Sequence, residues 1–190
     1  MNKETYIEQY LFGLSELLKD KNKGLRDCTS KVIDIIMDAR KDGRTIFMMG
    51  NGGSASTASH FACDLTKLTV RPDKPRIKAI CLNDCIPTML AVANDNGYDN
   101  IFSEQLRGLM TPGDVVIGIS GSGNSLNVLN GIEYANSIGG ITVGMTGFDG
   151  GKLMGLAKEN IHVPTNFMQY AEDAHLFLTH IIAAYIRDAI

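Results

Sequence analysis

Two short turns in this sequence combine glycines with hydroxyl side chains, a composition suited to binding an anion. One turn runs Gly50-Asn51-Gly52-Gly53-Ser54-Ala55-Ser56, and the other runs Ser120-Gly121-Ser122-Gly123-Asn124-Ser125. Each follows a strand-like apolar run and precedes a stretch that is typical of a helix. Glycines let backbone N–H groups approach an anion at a helix N-terminus, and hydroxyls add neutral donors. The two turns therefore predict a site for a phosphorylated small molecule.

Two other interpretations of these turns stay open. The first turn has the Gly-x-Gly-x-x-Ala form of a dinucleotide fingerprint, but the acidic residue Asp84 lies farther beyond the glycines than the usual ~20 residues. The serines of the second turn would also have no role in a nicotinamide enzyme. Alternatively, the turns serve only the tight packing of strands against helices, although packing alone does not require so many hydroxyls.

A second group of candidate residues follows the first turn. His60 and Asp64 are four residues apart on the expected helix, so their side chains share one face about 6 Å apart. This spacing suits a metal pair or an acid–base pair, and a solvated ion pair is the alternative. Proximity to the expected phosphate cleft favours a functional role.

The last helix carries a third group, Glu172, Asp173, His175 and His180. Because His180 lies between Thr179 and Ile181 in an apolar stretch, a core histidine is the default interpretation of that position taken alone. Glu172 and His175 have the better metal-pair spacing, since Glu172 and His180 are separated by about 12 Å of helix. The two ends could serve one ligand only by reaching toward each other or across a subunit boundary.

Composition restricts the class of protein. A chain of 190 residues, 44% of them hydrophobic, forms one compact domain spanning 1–190. A net charge of −3 and a pI near 5.8 argue against a nucleic-acid partner. No apolar run approaches the roughly 20 residues of a membrane span, and the N-terminus lacks a signal-peptide core. We therefore expect a cytoplasmic protein without a membrane partner.

The sequence contains four cysteines, none in a C-x-x-C pair: Cys28, Cys63, Cys81 and Cys85. We expect reduced and mostly buried thiols. A metal or redox role for Cys81 and Cys85 is the alternative.

Hydrophobic periodicity predicts the elements that position these residues. Two amphipathic helices, 3–19 and 24–41, form an N-terminal extension. The apolar stripe of the first helix must be buried somewhere. The inward-facing residues of the second helix are expected to be Val32, Ile33, Ile36 and Met37. Strands are expected at 45–49, 77–82, 115–119, 141–145 and 161–163. Helices are expected at 54–67, 87–94, 101–110, 124–137, 152–157 and 168–190. This alternation predicts an α/β fold, a five-stranded parallel sheet flanked by helices in three layers.

Taken in order, the motifs resemble the sugar isomerase (SIS) domain of the phosphoheptose isomerase family over nearly the whole chain. The resemblance rests on the two turns and on further segments, His60-Phe61-Ala62, Ala93-Asn94-Asp95-Asn96-Gly97, Thr146-Gly147-x-Asp149-Gly150-Gly151-Lys152, and the C-terminal histidines His175 and His180. It implies a homotetramer, with helices 3–41 packing in the oligomer. The implied reaction converts sedoheptulose 7-phosphate to a heptose 7-phosphate at subunit interfaces.

The resemblance also implies roles for individual residues. Phosphate is expected to bind Ser54, Ser120, Ser122 and Ser125, and the substrate is also expected to contact Gly52, Gly53 and Gly121. Sugar hydroxyls are expected to bind Asn51 and Asp95. A zinc ion is expected among His60, Asp64, Glu172 and His180, with Glu172 also near the substrate. Asp64 is then the general base and His180 the general acid, which suits proton transfer between two carbons through an enediolate.

Two of these positions differ from the usual family pattern. Asp64 stands where glutamate is usual and shortens the base, whereas Glu172 stands where glutamine is usual and adds a negative charge. The stretch 169–173 also differs from the usual Arg-x-Gln-Glu. His₂ with two carboxylates remains an acceptable zinc set.

Two other functions remain open. A non-catalytic SIS tetramer of the replication-initiator-associating type, acting as a regulatory or protein-binding module, has a similar Gly-Asn-Gly-x-Ser-Ala loop. Retention of His180 favours the isomerase, because a non-enzyme does not need it. Isomerisation of another sugar phosphate is the third interpretation.

Overall fold

The computed structural model describes residues 2–19 and 24–190. Its strands β1 to β5 are Thr45–Gly50, Lys78–Cys81, Val115–Ser120, Ile141–Thr146 and Glu159–His162. Its helices α1 to α8 are Lys3–Leu18, Gly24–Lys41, Gly53–Lys67, Ile86–Asn96, Ser103–Leu109, Leu126–Ser137, Gly151–Leu156 and Met168–Ala189. A 3₁₀ turn, Tyr98–Asn100, lies between α4 and α5.

The five strands form one parallel sheet in the order β2-β1-β3-β4-β5, which confirms the expected α/β fold. The chain moves outward from β1 on one side and from β3 on the other, so the direction of winding reverses between these two strands. Such a reversal leaves a crevice at the carboxyl ends of the strands. Gly50 at the end of β1 pairs with Ile119 near the end of β3. The two glycine and serine turns therefore lie side by side at this crevice.

Helices cover both faces of the sheet. The side chains of each strand alternate between the faces, so both faces carry apolar side chains that must be buried. On β1, Ile46 and Met48 face a core that includes Phe61 of α3 and Ile182 of α8. Phe47 and Met49 face the opposite core. Burying each of these large side chains contributes about 1.5–3 kcal/mol. Because α3 and α8 both pack into the first of these cores, they lie on the same face of the sheet.

Helix α2 packs against the sheet much as its periodicity predicts. Val32 and Ile36 are buried, whereas Ile33 and Met37 are only half-buried at the margin of the core. Helix α1 buries no residue, and Leu11 on its apolar stripe is 62% exposed. Leu17 and Leu18 at the end of α1 pack against the margin of the core, so the described residues cover the stripe only in part.

Several expected boundaries shift by one to three residues. Helix α6 begins at Leu126 rather than 124 because residues 122–125 form the second turn, and β5 ends at His162 rather than Val163. All four cysteines are free, but the expectation that most are buried is wrong: Cys63 and Cys85 are exposed at helix surfaces. Among the described residues, no helix has the length and apolar character to cross a membrane.

Candidate active site

The first turn holds the N-terminus of α3 open toward the crevice. The side chain of Asn83 fixes the end of β1, since its Oδ1 accepts from the Gly50 N–H at 3.2 Å and its Nδ2 donates to the Gly50 carbonyl at 2.9 Å. Gly52 then adopts φ +53°, a conformation that L side chains rarely adopt. No side chain caps α3. Its first backbone N–H groups are therefore available to an anion.

The second turn gathers hydroxyls against the first. Ser120 Oγ and Ser125 Oγ lie 3.1 Å apart, and the Gly123 N–H donates to the Ser120 carbonyl at 2.9 Å. Gly123 has φ +65°, and a Cβ placed there would lie 2.0 Å from the Gly150 carbonyl oxygen. Only glycine fits this position, so the β4–α7 turn supports the serine turn from behind.

A cavity of about 150 Å³ lies between the two turns. It is lined by Asn51, Ser54, Ile119, Ser120, Gly121, Ser122, Ser125, Met168 and Glu172. The structure thus brings together the serines that the sequence analysis singled out. Gly52 and Gly53 lie in the adjoining turn, where Gly53 faces Glu172.

Glu172 projects from α8 into this cavity. A Cβ on Gly53 would lie 2.6 Å from Glu172 Oε1, so the absence of a side chain at position 53 makes room for the carboxylate. Within the described residues Glu172 makes no hydrogen bond or ion pair. Its carboxylate is therefore available to a ligand.

The second group of candidates forms where α3 and α8 pack together. His60 Nε2 lies 3.6 Å from Asp64 Oδ2, His180 Nε2 lies 3.8 Å from the same oxygen, and the two ring nitrogens are 3.3 Å apart. The structure does not bring Glu172 into this group of three. It lies two helical turns away, beside the serine cavity.

The His60, Asp64 and His180 group has the donor set of a zinc site. Two imidazole nitrogens and a carboxylate oxygen lie within 4.8 Å of one another. Ligand atoms bound tetrahedrally at about 2.0–2.1 Å are separated by roughly 3.3 Å along each edge, close to the observed spacings. The histidine side chains are about half exposed, which leaves access for a further ligand.

The environments of the two histidines of α8 are the reverse of those that the sequence suggests. His175 is buried, its Nε2 lies 3.2 Å from the Thr146 carbonyl, and its Nδ1 has no hydrogen-bond partner. Burial lowers the pKa of His175 to about 4. His180 is exposed beside α3, because the buried face of α8 passes through His175, Leu178 and Ile182. The default interpretation of His180 as a core histidine is therefore wrong, and the better metal-pair spacing of Glu172 and His175 is not used, because His175 is buried.

Sequence reasoning missed two residues that hold Asn51, which lines the cavity. Asn127 forms a reciprocal pair of amide hydrogen bonds with Asn51, and Tyr98 OH donates to Asn51 Oδ1 at 2.9 Å. No spacing rule relates these three positions. Asp95 is exposed on the last turn of α4, accepts from Asn94 at 2.7 Å, and does not line the cavity.

The sequence and structure were compared with known proteins. Residues 9–147 match the family described as SIS domain. A probable phosphoheptose isomerase of Thermoplasma acidophilum is 41% identical over 186 residues, covering 98% of each chain. The phosphoheptose isomerase of Aliarcobacter butzleri is 35% identical over 184 residues, covering 97% of this chain and 96% of its own. The structure of a phosphoheptose isomerase from Neisseria gonorrhoeae superposes with a TM-score of 0.91 at 28% identity, covering both chains completely.

The fold and the paired turns define a SIS-domain protein. Within that class, the chain belongs to the phosphoheptose isomerase family, as the resemblance of its motifs implies.

Proposed function

We propose that this protein is an aldose–ketose isomerase that converts sedoheptulose 7-phosphate to D-glycero-D-manno-heptose 7-phosphate. The observation that carries the proposal is the position of the His60, Asp64 and His180 group relative to the serine cavity. From Ser54 to His60 the axis of α3 rises by about 9 Å. An extended seven-carbon sugar can place its phosphate in the cavity and its first two carbons at the far group. Family membership supports the same reaction.

In this proposal the serine cavity binds the phosphate. The N-terminus of α3 and the hydroxyls of Ser54, Ser120, Ser122 and Ser125 supply donors, and within residues 2–19 and 24–190 no lysine or arginine lines the cavity. Neutral donors and a helix N-terminus are sufficient for an anion. Sugar hydroxyls would then meet Asn51 and Glu172, with Asp95 as a more distant candidate.

In this proposal Asp64 and His180 carry out the proton transfer. Asp64 takes the proton from one carbon as general base, and His180, 3.8 Å from the Asp64 carboxylate, protonates the neighbouring oxygen as general acid. The Asp64 side chain is 13% exposed, so the base is mostly buried but still in contact with solvent. Asp64 then returns the proton to the adjacent carbon, and His180, now unprotonated, takes the proton from the oxygen of the first carbon, which leaves the aldehyde.

A zinc ion fits the same group of residues. His60, Asp64 and His180 would hold it. Glu172, the expected fourth ligand, lies two helical turns away from this group and would complete the site from a second copy of the chain across a subunit boundary. Bound zinc would polarise the sugar carbonyl as a Lewis acid. A ring nitrogen of His180 that binds zinc cannot donate a proton, so proton transfer in the zinc-bound protein would use the other ring nitrogen of His180.

We also propose that the protein is a homotetramer in the cytoplasm. Tyr6, Ile7, Leu11 and Phe12 of α1 are each half or more exposed. A second copy of the chain would cover this apolar surface. Light scattering that reports a monomer at micromolar concentration would contradict the proposal.

A non-catalytic regulatory module is not favoured. The His60, Asp64 and His180 side chains converge from two helices, and a binding module has no use for that convergence. The test is turnover of a panel of ketose phosphates of five, six and seven carbons, with and without chelator. We expect the highest kcat/KM for sedoheptulose 7-phosphate, and absence of turnover on every member would contradict the proposal.

A further inference from the structure

The side chain of Asn124 joins the second turn to the start of α7. Its Nδ2 donates to the Ser122 carbonyl at 2.9 Å, and its Oδ1 accepts from the Lys152 N–H at 3.2 Å. A backbone carbonyl can only accept and a backbone N–H can only donate, so the two bonds together fix which end of the Asn124 amide is oxygen. One exposed side chain therefore bridges two segments that are 28 positions apart in the chain.

Two more backbone N–H groups at this end of α7 have partners. The Gly151 N–H donates to Asp149 Oδ1 at 3.1 Å, and the Leu153 N–H donates to the Gly123 carbonyl at 2.9 Å. The N-terminus of α3, by contrast, has no side-chain cap within the described residues. The start of α7 therefore holds the second turn, whereas the start of α3 remains available to an anion.

The contacts of Asn124 act on Ser122, which lines the serine cavity. The side-chain amide of Asn124 holds the Ser122 carbonyl, and the backbone N–H of Asn124 donates to Ser122 Oγ at 3.3 Å. Asn124 does not itself line the cavity. It therefore holds a cavity residue at two points from outside the cavity.

We propose that Asn124 is a positioning residue for phosphate recognition, because its amide keeps the second turn in the conformation that presents Ser122 to the phosphate. The inference rests on the proposed function, since it takes the serine cavity as the phosphate site. A turn that is already in place loses less conformational freedom on binding than a turn that the ligand must order. Asn124 contributes to affinity in this way without touching the ligand.

The variant Asn124→Ala tests the inference, with Asn136→Ala as the matched control. The Asn136 amide also makes two hydrogen bonds, since it donates to the Leu156 carbonyl at 2.9 Å and accepts from Thr142 Oγ1 at 2.8 Å. These bonds hold the other end of α7, outside the serine cavity. Neither asparagine is buried, so both variants should fold, and urea unfolding compares their stabilities.

The Kd for inorganic phosphate is measured by calorimetry, and KM and kcat are measured with sedoheptulose 7-phosphate. We expect Asn124→Ala to raise both Kd and KM by about threefold to tenfold, the effect of a lost hydrogen bond, and to leave kcat within about twofold. Asn136→Ala should change each constant by less than about twofold. Equal effects of the two variants on Kd, or no effect of Asn124→Ala, would overturn the inference.

A double-mutant cycle with Ser122→Ala locates the effect within the turn. Because Asn124 acts through Ser122, Asn124→Ala should raise Kd by less than about twofold in the Ser122→Ala background. The full threefold to tenfold rise in both backgrounds would contradict action through Ser122 and overturn the inference.

The phosphate and turnover measurements separate the inference from the proposed function. The expected coupling in phosphate binding, without any turnover by the wild-type chain, would retain the inference and contradict the proposed isomerase. Normal turnover by the wild-type chain, with Kd and KM unchanged in Asn124→Ala, would overturn the inference alone. A rise in KM without a rise in Kd for phosphate would place the effect on the sugar and also overturn it.

Discussion

His180 Nε2 lies 3.3 Å from His60 Nε2, although the two residues are 120 positions apart in the chain. Their rings meet edge to face, with centroids 4.8 Å apart. Two ring nitrogens this close cannot both carry a proton without repulsion. Either one ring nitrogen donates a hydrogen bond to the other, or both nitrogens and Asp64 bind one cation, and neutral imidazole nitrogens are good zinc ligands.

Zinc binding is therefore the first prediction. Calorimetry should detect about one zinc ion per chain, and His60→Ala or His180→Ala should weaken its binding by tenfold or more, because each removes a ligand. His162→Ala is the control, since His162 bonds Thr146 and lies outside the group. Unchanged zinc affinity in both ligand variants would contradict the prediction.

The second prediction concerns Ser122, whose hydroxyl lines the cavity. Ser122→Ala should raise KM about tenfold and leave kcat within twofold, because a hydrogen bond to a charged phosphate serves ground state and transition state alike. Ser137→Ala, at the far end of α6, should change neither constant. An unchanged KM would show that the phosphate binds elsewhere.

The third prediction concerns the charge that Glu172 adds to the cavity. Glu172→Gln removes a carboxylate beside the bound phosphate and should strengthen binding of inorganic phosphate roughly fivefold, as expected for one partly solvated charge. Glu133→Gln, exposed on α6, controls for the change in net charge. Weaker binding in the Glu172 variant would mean that the carboxylate accepts a hydrogen bond or binds a cation in the site.

The fourth prediction concerns stability in acid. Burial lowers the pKa of His175 from 6.5 to about 4, so the folded state stays neutral while the unfolded state takes up a proton below pH 6.5. With respect to this group, the free energy of unfolding is therefore highest above pH 6.5 and decreases as the pH falls from 6.5 toward 4. The group should make the protein roughly 2 kcal/mol less stable at pH 5 than at pH 7.

Urea unfolding of the wild-type and His175→Gln proteins at both pH values measures this contribution. The glutamine retains an N–H donor toward the Thr146 carbonyl but does not titrate. Burial also lowers the pKa of His162, and that effect is present in both proteins. Identical pH dependence in the two would contradict the prediction.

The sheet was predictable from the sequence because parallel strands covered on both faces are nearly continuous in apolar residues. Residues 115–119 show this pattern, and the serine turn directly follows them. The cavity followed from the same reasoning, since turns at the carboxyl ends of adjacent strands must meet.

The contacts between distant residues were not predictable from spacing. The meeting of His60 with His180 depends on the parallel packing of α3 against α8, and only the family resemblance indicated it. Which α8 histidine is buried depends on the rotation of that helix against the sheet. The bond between Tyr98 and Asn51 depends on a loop conformation that local patterns do not specify.

The most direct test of the account is proton exchange during turnover of sedoheptulose 7-phosphate in D₂O, followed by NMR. The wild-type protein should produce a heptose 7-phosphate with deuterium at C2, because the base exchanges its proton with solvent while the enediolate persists. Asp64→Asn should form this product more slowly by about 10² to 10⁴, the usual weight of general-base catalysis, and bind substrate with little change. Formation of the product at the wild-type rate by the Asp64→Asn variant, or no product from the wild-type protein with zinc added, would contradict the account.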